Sequence, residues 1–194
     1  YYKAHRKADR EKSPLDWNNI FSILNKIRDE LKETFPWKVI QVDTAEADDI
    51  IATLCNRFGK TLKAEDDIDI LIISGDKDFA QLQKYANVEQ YSPVTKKWIR
   101  ISNPESFLRE HIMRGDRGDG VPNFLSADNV IVTGARQKPL ASKKIEKWVS
   151  LDPRDFCNEV MLRNYKRNES LVNLALIPSA IVNQINEKLS LIHI

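Results

Sequence analysis

The sequence predicts an α/β fold followed by a mainly helical region. Strand-like and helix-like segments alternate between residues 37 and 101, which is typical of a sheet flanked by helices. The unbroken apolar stretch within 67–74 indicates a strand buried on both faces, as in a parallel-centred sheet. From Pro104 onwards the apolar periodicity is mostly helical. We therefore expect two parts, an α/β domain at 1–103 and a helical region at 104–194.

The composition is that of a globular protein without a strong overall charge. The 194 residues are 42% hydrophobic and 30% charged, which allows a substantial core, and the net charge is +2. Cys55 and Cys157 lack the spacing of a disulfide framework or a zinc site, which favours a cytoplasmic protein. No apolar run approaches the ~20 residues needed to cross a bilayer, so we expect no membrane partner. The chain starts at Tyr1 without a methionine, and we expect it to be part of a longer protein.

In the N-terminal part we predict two helices and a strand after a basic arm. Residues 1–12 are rich in lysine and arginine and form the arm. A helix is predicted over 14–33 because apolar residues recur at helical spacing, and Pro36 ends it. A buried strand at 37–43 should then lead into a helix over 44–59, which ends at a glycine.

The remaining elements follow from the same patterns. After the strand at 67–74 we predict a helix over 78–85 and two short strands around a turn at Pro93. In the C-terminal region, an irregular glycine-rich segment at 115–139 separates the first helix from the others. The predicted helices there cover 104–114, 140–150, 153–166 and 178–190.

Three clusters of acidic residues fall at corresponding places in this scheme. One begins the helix after strand 37–43, one follows strand 67–74, and one lies in a glycine-rich turn after helix 104–114. Ligands of open parallel sheets bind beyond the carboxyl ends of the strands, so the first two clusters should converge. The clusters consist of Glu46, Asp48 and Asp49, of Asp76 and Asp78, and of Asp116 and Asp119.

So many carboxylates in one crevice repel one another unless cations lie among them. Magnesium and manganese suit them because these hard cations prefer oxygen ligands, and the carboxylates suffice for two ions. Zinc is disfavoured because His5, His111 and His193 are scattered along the sequence. The sequence therefore predicts a centre for two Mg²⁺ ions, in which Mn²⁺ can substitute.

Local structure offers an alternative for each acidic cluster. A pair such as Asp76 and Asp78 is often a turn or a helix cap, and acids in a first helical turn are favoured by the helix dipole. Two other chemistries fit poorly. A haloacid-dehalogenase-type phosphatase has Thr or Val where Phe79 stands, and an EF-hand needs an oxygen ligand where Ala80 stands. A purely local role for all three acidic clusters at once is much less frequent than for one of them, so we favour the shared metal centre.

Three motifs together resemble the 5′-nucleases of the flap-endonuclease superfamily. They are EADDIIA at 46–52, LIISGDKDFAQL at 71–82 and GDRGDGVPN at 115–123. Within the superfamily the sequence resembles most the ribonuclease H enzymes of T-even bacteriophages, to which ANVEQYSPVTKKWIRI at 86–101 and NLALIPSAIVNQI at 173–185 are also similar. The resemblance covers nearly the whole chain in the same order. It implies a PIN-like 5′-nuclease core that lacks its first strands.

The resemblance also implies roles for individual residues. The acids of the first two clusters would hold one metal ion and those of the third cluster a second ion, with Asp49 as a nearby residue. Lys3 and Arg6, in the arch segment YYKAHR, would steady the scissile phosphate; a solvated basic arm is the alternative. The family has two further aspartates in segments that precede Tyr1. We therefore expect the 194-residue chain by itself to be weak or inactive.

The C-terminal region contains a second basic segment. Residues 124–148 lack the glycine-rich hairpin signature of the superfamily, which argues against a potassium site. The segment 134–147 carries five cations against Glu146, which suits sequence-independent contacts with nucleic-acid phosphates; a solubilising surface is the alternative. We predict a helix–turn–helix-like DNA clamp in this region. The predicted nucleic-acid-binding residues are Lys7, Arg136, Lys138, Lys143, Lys144 and Lys147.

These features predict a metal-dependent 5′-3′ exonuclease and flap endonuclease with ribonuclease H activity. It would hydrolyse phosphodiesters at the 5′ ends of RNA or DNA in duplexes or flaps, as in primer removal during replication. We expect a monomer that binds DNA and RNA–DNA duplexes, with a single-strand binding protein or a sliding clamp as replication partners. Two alternatives stay open: a nucleic-acid-binding module without catalysis, and a small-molecule phosphohydrolase.

Overall fold

The sheet has three strands, and helices flank it. The computed structural model describes residues 1–62, 64 and 69–190. Within these residues the strands are β1 (Ile70–Ile73), β2 (Val88–Ser92) and β3 (Lys97–Ile99), in that spatial order. β1 is parallel to β2, and β2 is antiparallel to β3. The α/β prediction with a parallel pair is therefore confirmed.

The crossover between the two parallel strands carries one of the acidic clusters. A 3₁₀ helix, Lys77–Lys84, connects β1 to β2, and Asp76 is its N-cap. It corresponds to the predicted helix at 78–85. Because β1 ends at Ile73 and the helix begins four residues later, Asp76 and Asp78 lie beyond the carboxyl end of the strand.

The prediction of a strand at 37–43 is wrong. A strand needs a neighbour for its backbone hydrogen bonds, and in the described part of the chain only β1, β2 and β3 form a sheet. The segment is instead extended at the surface, where Trp37 is 64% exposed and stacks on Phe35. Its apolar residues therefore do not contribute a layer of the core.

The strand predicted at 67–74 exists, but its burial differs from the expectation. Residues 67 and 68 lie outside the described residues, and β1 begins at Ile70. Ile72 is buried, whereas Leu71 and Ile73 are 51% and 66% exposed, so burial on both faces is wrong. The reason is that no described element covers the face of the sheet on which these two side chains lie.

Helices α1 (His5–Lys12), α2 (Trp17–Thr34) and α3 (Ala47–Phe58) occupy the N-terminal part. The predicted basic arm is thus helical over most of its length. Helix α2 begins after Asp16, whose side chain accepts a hydrogen bond from the backbone N–H of Asn19, rather than at Pro14. It has no buried residue, so its apolar stripe lies at the surface.

A first apolar core joins α3, the sheet and the 3₁₀ helix. Its buried members come from each of these elements, and the parallel pair β1–β2 lies at its centre. Leu174 and Ile177 from the C-terminal region pack against the same core. The buried members are Ala52, Cys55, Ile72, Phe79, Leu82 and Val88.

A second core lies among the C-terminal helices. These are α4 (Pro104–Arg114), α5 (Ser142–Trp148), α6 (Pro153–Phe156), α7 (Glu159–Val172) and α8 (Ser179–Ser190). The predicted helix at 104–114 is confirmed, whereas the one predicted at 153–166 is divided into α6 and α7. Phe124 is fully buried, and the rings of Trp148, Phe156 and Tyr165 meet it edge to face. None of the described helices is long and apolar enough to cross a membrane.

Candidate metal centre

The acidic clusters predicted from the sequence converge in space. A cleft of about 310 Å³ is lined by Glu46, Asp48 and Asp49 from the start of α3, together with Asp78 and Asp119. Asp116 joins this group because one of its carboxylate oxygens lies within 4.8 Å of an oxygen of Asp78. Residues at the end of α7 and the start of α8 close the opposite wall of the cleft.

The end of β1 is held by a buried glutamine that the sequence analysis did not single out. Gln90 on β2 is 1% exposed, and its side-chain amide donates hydrogen bonds to the carbonyl oxygens of Ser74 (2.9 Å) and Asp76 (2.6 Å). The Asp76 carboxylate in turn accepts a hydrogen bond from the backbone N–H of Asp78 at 3.0 Å. These contacts fix the backbone from which both acids project. The available signal was a polar residue in the middle of a predicted strand.

Neighbouring aspartates at the start of α3 have different surroundings. The Asp49 carboxylate accepts a hydrogen bond from the backbone N–H of Glu46 at 2.8 Å, as part of a capping box. Asp48 faces the other acids: burial, followed by the charges of Asp76 and Asp78, raises its pKa to about 6. Asp49 thus acts as a helix cap, as the alternative from local structure predicts. Asp48 does not, because its carboxylate is partly buried among other negative charges.

The third cluster lies in a tight turn after α4. One oxygen of Asp116 accepts hydrogen bonds from the backbone N–H groups of Gly118 (2.7 Å) and Asp119 (3.2 Å). Gly115 and Gly120, at the two ends of the turn, have φ angles of +69° and +74°, which favour glycine. A side-chain carbon at Gly115 would come within 2.4 Å of the Val121 carbonyl oxygen.

A second residue that the sequence analysis missed holds both ends of this turn. Asn168 on α7 is fully buried, and its amide nitrogen donates hydrogen bonds at 2.8 Å to the carbonyl oxygens of Ile112 and Pro122. Ile112 precedes the turn and Pro122 follows it. Nothing in the local pattern of α7 distinguishes this asparagine, because its partners lie 56 and 46 residues away along the chain.

Three cations of the chain neutralise part of the acidic group. Lys3 pairs with Glu46, Arg6 pairs with Asp119, and Lys77 lies 2.9 Å from a carboxylate oxygen of Asp116. Lys77 lies between Asp76 and Asp78 in the sequence, but the charge of Asp116 attracts its ammonium group. Each of the three acids thus has a basic partner.

The N-terminal segment is seated directly on the turn of the third cluster. The backbone N–H of Lys3 donates a hydrogen bond to the Asp119 carbonyl at 2.7 Å. A side-chain carbon at Gly120 would lie 3.1 Å from the Tyr1 carbonyl and 3.3 Å from the Lys3 nitrogen, so glycine permits this close approach. Burial alone would lower the pKa of Lys3, but the hydrogen bond to Glu46 raises it well above its ordinary value.

The pKa values of the two acids in the turn shift in opposite directions. Burial would raise the pKa of Asp116, but the hydrogen bonds from Lys77 and from backbone N–H groups outweigh it and hold the pKa below its ordinary value. Burial raises the pKa of Asp119, and the charges of Asp116 and Asp78 act in the same direction against Lys3 and Arg6. The charges of the second and third clusters therefore act on one another.

The structure brings a histidine into this acidic group. His111, in the last turn of α4, is 6% exposed, and its Nε2 lies 2.8 Å from an oxygen of Asp78 and 3.9 Å from an oxygen of Asp116. The three residues could hold a metal ion between them. The histidines are scattered along the sequence, but the packing of α4 on the 3₁₀ helix brings His111 to Asp78.

These residues fit a divalent cation. The buried oxygen of Asp78 and the buried Nε2 of His111 have no hydrogen-bond partner among the described residues, although both lie at the acidic cleft. Buried polar atoms are nearly always paired, so two such atoms side by side point to a ligand that both can bind. The surrounding carboxylate oxygens are the ligands preferred by Mg²⁺ and Mn²⁺.

The basic residues predicted to bind nucleic acid are all exposed, and none forms an ion pair with another described residue. Three of them project from α5. The start of that helix is linked to the end of α4, since Arg114 donates a hydrogen bond to the Ser142 hydroxyl at 3.3 Å. The exposed residues are Lys7, Arg136, Lys138, Lys143, Lys144 and Lys147.

Sequence comparison relates the chain to phage nucleases. Residues 1–111 match the family described as 5′-3′ exonuclease, N-terminal resolvase-like domain. The chain is also 35% identical over 192 residues to the ribonuclease H of Enterobacteria phage T4. This match covers 95% of the chain but only 61% of the phage T4 enzyme, so the chain spans about three fifths of that relative's length.

Solved structures with the same fold come from bacteriophage T5. A T5 protein co-crystallised with metal ions matches with a TM-score of 0.60 at 18% identity, over 99% of this chain and 79% of that chain. A T5 flap endonuclease in a pseudo-enzyme–product complex with DNA and metal ions matches with a TM-score of 0.60 at 18% identity, over 98% and 76% of the two chains. The folds agree, and the family match and the phage T4 relative establish the kinship: the chain belongs to the 5′-3′ exonuclease family.

Proposed function

We propose that this chain carries the metal centre of a 5′ nuclease that hydrolyses phosphodiesters at the 5′ ends of RNA or DNA in duplexes or flaps. The observation that carries the proposal is the meeting of three separate acidic clusters, with Lys3 and Arg6, at a single cleft. The similarity to a ribonuclease H, and the fold shared with a flap endonuclease bound to DNA and metal ions, support it.

We assign the metal-binding role to the acids around the cleft. Asp78 and Asp116 are largely buried, with 15% and 14% of their side chains exposed, and the group also contains Glu46, Asp48, Asp76 and Asp119. Two divalent ions, Mg²⁺ or Mn²⁺, would supply a nucleophilic water at neutral pH and neutralise charge on the phosphate oxygens. Asp49 has a supporting role, because its carboxylate caps α3.

The role of Lys3 and Arg6 is to bind the scissile phosphate. Their ion pairs with Glu46 and Asp119 hold two positive charges at the mouth of the acidic cleft. When divalent ions neutralise those carboxylates, the two cations become available to the phosphate oxygens, where negative charge increases in the transition state. The acids thus position the cations until substrate arrives.

The C-terminal region is proposed to bind the duplex. The exposed lysines of α5 and the neighbouring Arg136 and Lys138 suit phosphate contacts without base recognition. The proposal includes a nuclease domain at 1–103 and a DNA-binding region at 104–194 that contains the helix–turn–helix-like clamp. It also includes the monomeric state and the replication partners.

Replacement of Asp76 and Asp78 by asparagine tests the proposal. Both carboxylates would hold metal ions, so the double variant should lose at least roughly a hundredfold in the rate of Mg²⁺-dependent cleavage of a 5′-flap duplex, measured with the chain in excess over a labelled duplex because its own activity is expected to be weak, while its affinity for that duplex is kept. The matched control is Asp29→Asn on α2, which removes an exposed carboxylate paired with Arg28 and should cleave normally. Unchanged cleavage by the double variant would overturn the proposal.

The ion pairs within the cleft favour a second candidate, a nucleic-acid-binding module without catalysis. Lys3, Arg6 and Lys77 already neutralise three of the acids, so the fold does not require a metal ion. In that case the chain would bind branched DNA in a salt-dependent manner without Mg²⁺-dependent cleavage.

Weak activity of the 194-residue chain alone is likewise part of our proposal, and cleavage as fast as that of the phage T4 enzyme would contradict it.

A further inference from the structure

We propose that His111 is a metal ligand, and that the subsite it forms with Asp78 and Asp116 prefers Mn²⁺, Co²⁺ or Zn²⁺ to Mg²⁺. The inference rests on the proposed metal centre and names the ion class that one part of it binds. It differs from a centre built of carboxylates alone, because one of its ligands is an imidazole nitrogen.

The three side chains have the separations that a shared ion requires. The Nε2 atom of His111 lies 2.8 Å from Asp78 and 3.9 Å from Asp116, and all three ligand atoms are within 4.8 Å of one another. Two ligands at about 2.1 Å from an ion, at angles between 90° and 110°, are roughly 3.0–3.4 Å apart. The observed distances bracket this range, so small side-chain rotations suffice to complete the site.

The close approach of His111 and Asp78 is not explained by a hydrogen bond between them. The two atoms are close, but their geometry does not make a hydrogen bond, and neither has another hydrogen-bond partner among the described residues. In the tautomer that carries its proton on Nδ1, the Nε2 lone pair of His111 faces the carboxylate oxygen of Asp78 and is repelled by it. A cation between the two atoms converts that repulsion into two favourable contacts, which is why we infer a ligand role.

The imidazole is held in place by its helix and by a neighbouring ring. His111 stacks on Phe107, one turn earlier in α4, with ring centroids 6.0 Å apart and planes inclined by 28°. The His111 carbonyl accepts a hydrogen bond from the backbone N–H of Gly115 at 2.8 Å, where the turn that carries Asp116 begins. Two of the three ligands are therefore fixed to one another through a few residues of backbone.

The nitrogen ligand determines which ions are preferred. Imidazole suits manganese, cobalt and zinc better than magnesium, which favours oxygen ligands and keeps several waters. Lys77, which now pairs with Asp116, is 54% exposed and can move into solvent when the ion binds. An ion in this subsite thus replaces one positive charge with two.

Pulsed electron paramagnetic resonance of the Mn²⁺-loaded chain tests the proposal without any nuclease assay. We expect nitrogen hyperfine coupling typical of a coordinated imidazole, and we expect His111→Gln to abolish it. In the same variant the ratio of Mn²⁺ to Mg²⁺ affinity, measured by titration calorimetry, should fall at least roughly tenfold, since loss of outer-shell partners alone has effects of that size.

The matched control is His5→Gln, because His5 is the other described histidine and its Nδ1 is also buried without a hydrogen-bond partner. This variant should keep the nitrogen coupling. If Mn²⁺ binds to the unaltered chain without nitrogen coupling, His111 is not a ligand and the proposal fails, while the carboxylate centre stands. If Mn²⁺ does not bind at all, the metal centre of the proposed function fails as well. Coupling that disappears in His5→Gln and persists in His111→Gln would also overturn the assignment.

Discussion

Asp48 and Asp49 are identical neighbours in the sequence, and the fold gives them opposite energetic roles. Asp49 stabilises the first turn of α3 by accepting a hydrogen bond from the Glu46 backbone. Asp48 is partly buried beside Asp76 and Asp78, and burial, followed by the charges of those two acids, raises its pKa to about 6. A site that binds cations gathers like charges in this way, and each such charge destabilises the folded chain when no cation is present.

Replacement of Asp48 by asparagine should therefore stabilise the metal-free protein at neutral pH. The pKa of this carboxyl is higher in the folded state than the ordinary 3.8, so the folded state binds its proton more tightly, and the contribution of Asp48 to stability falls as the pH rises from about 4 to about 6. At pH 7.5 the variant should gain about 1–2 kcal/mol in the free energy of unfolding, after allowance for solvent screening. At pH 4 the gain should vanish, because the carboxyl is then protonated in the folded state. Urea unfolding at both values measures the difference.

Asp49→Ala is the control for that experiment. It lies one residue away, but it removes a capping interaction rather than a repulsion, so it should lose about 1 kcal/mol at pH 7.5. A gain in stability from both variants, or a gain from Asp48→Asn that persists at pH 4, would contradict the roles assigned here.

At the scale of elements, α7 holds the turn that carries part of the proposed metal centre, although it supplies none of the predicted metal ligands. Asn168 and Asn164 lie one turn apart on the buried face of this helix. Asn168 holds the two ends of the turn that carries Asp116 and Asp119, whereas Asn164 donates to the carbonyl oxygens of Phe124 and Ser126 beyond the turn. One helix thereby clamps successive parts of the same loop.

We predict that Asn168→Ala weakens Mn²⁺ binding as well as stability. The variant removes both hydrogen bonds that the Asn168 amide donates, leaves the Pro122 carbonyl with only the bond from Arg167, and opens a small cavity, which should lower the free energy of unfolding by about 2–4 kcal/mol. The freed turn no longer holds Asp116 beside Asp78, so the affinity for Mn²⁺ should fall several-fold in titration calorimetry.

Asn164→Ala provides a matched control on the same helix. It also removes two hydrogen bonds from a buried amide, at 3.0 and 3.1 Å, so its loss of stability should be similar. Its effect on Mn²⁺ affinity should be much smaller. Equal losses of affinity in the two variants would show that general loosening, rather than the clamp on the turn, is responsible.

At the scale of the whole molecule, negative and positive charges are concentrated on different surfaces. The net charge is only +2, yet acids line the cleft and the lysines of α5 are exposed to solvent. Arg114, which precedes the turn of the third acidic cluster by one residue, donates a hydrogen bond to Ser142 at the start of α5. A nucleic acid bound along α5 would therefore approach the cleft.

This arrangement predicts how binding to duplex DNA depends on salt. The affinity should fall steeply with ionic strength, and Lys143→Gln, Lys144→Gln and Lys147→Gln together should reduce the slope of log affinity against log salt by as much as about 2.7, since each phosphate contact contributes about 0.9. Fluorescence anisotropy with a labelled duplex across a salt series measures both slopes.

A triple replacement on another surface controls for the loss of three charges. Lys26→Gln, Lys32→Gln and Lys38→Gln change the net charge by the same amount on and after α2, where no role in binding is proposed. This variant should keep nearly the original slope. An equal reduction in both triple variants would show that overall charge, rather than α5, governs binding.

Much of the fold follows from local pattern. Period and turn signals locate α4 over Pro104–Arg114 and the paired strands β2 and β3, because these elements obey rules that act over a few residues. The segment 37–43 and the outer face of β1 were misjudged for the complementary reason. An apolar run reports that burial is favourable, but the presence of a covering layer depends on elements far away in the chain.

The acidic residues of the candidate centre could be predicted from the sequence, because they lie at strand ends and in a tight turn, and the sheet topology brings these places together. His111, Asn168, Gln90 and the pairing of Lys77 with Asp116 became evident from the packed chain alone. Their partners are remote in sequence, and a lone histidine, asparagine or glutamine has no periodicity that marks it. The sequence by itself thus determined which negative charges lie close together in the folded chain. Only the tertiary packing decided which neutral and basic side chains hold these acids in place and balance their charge.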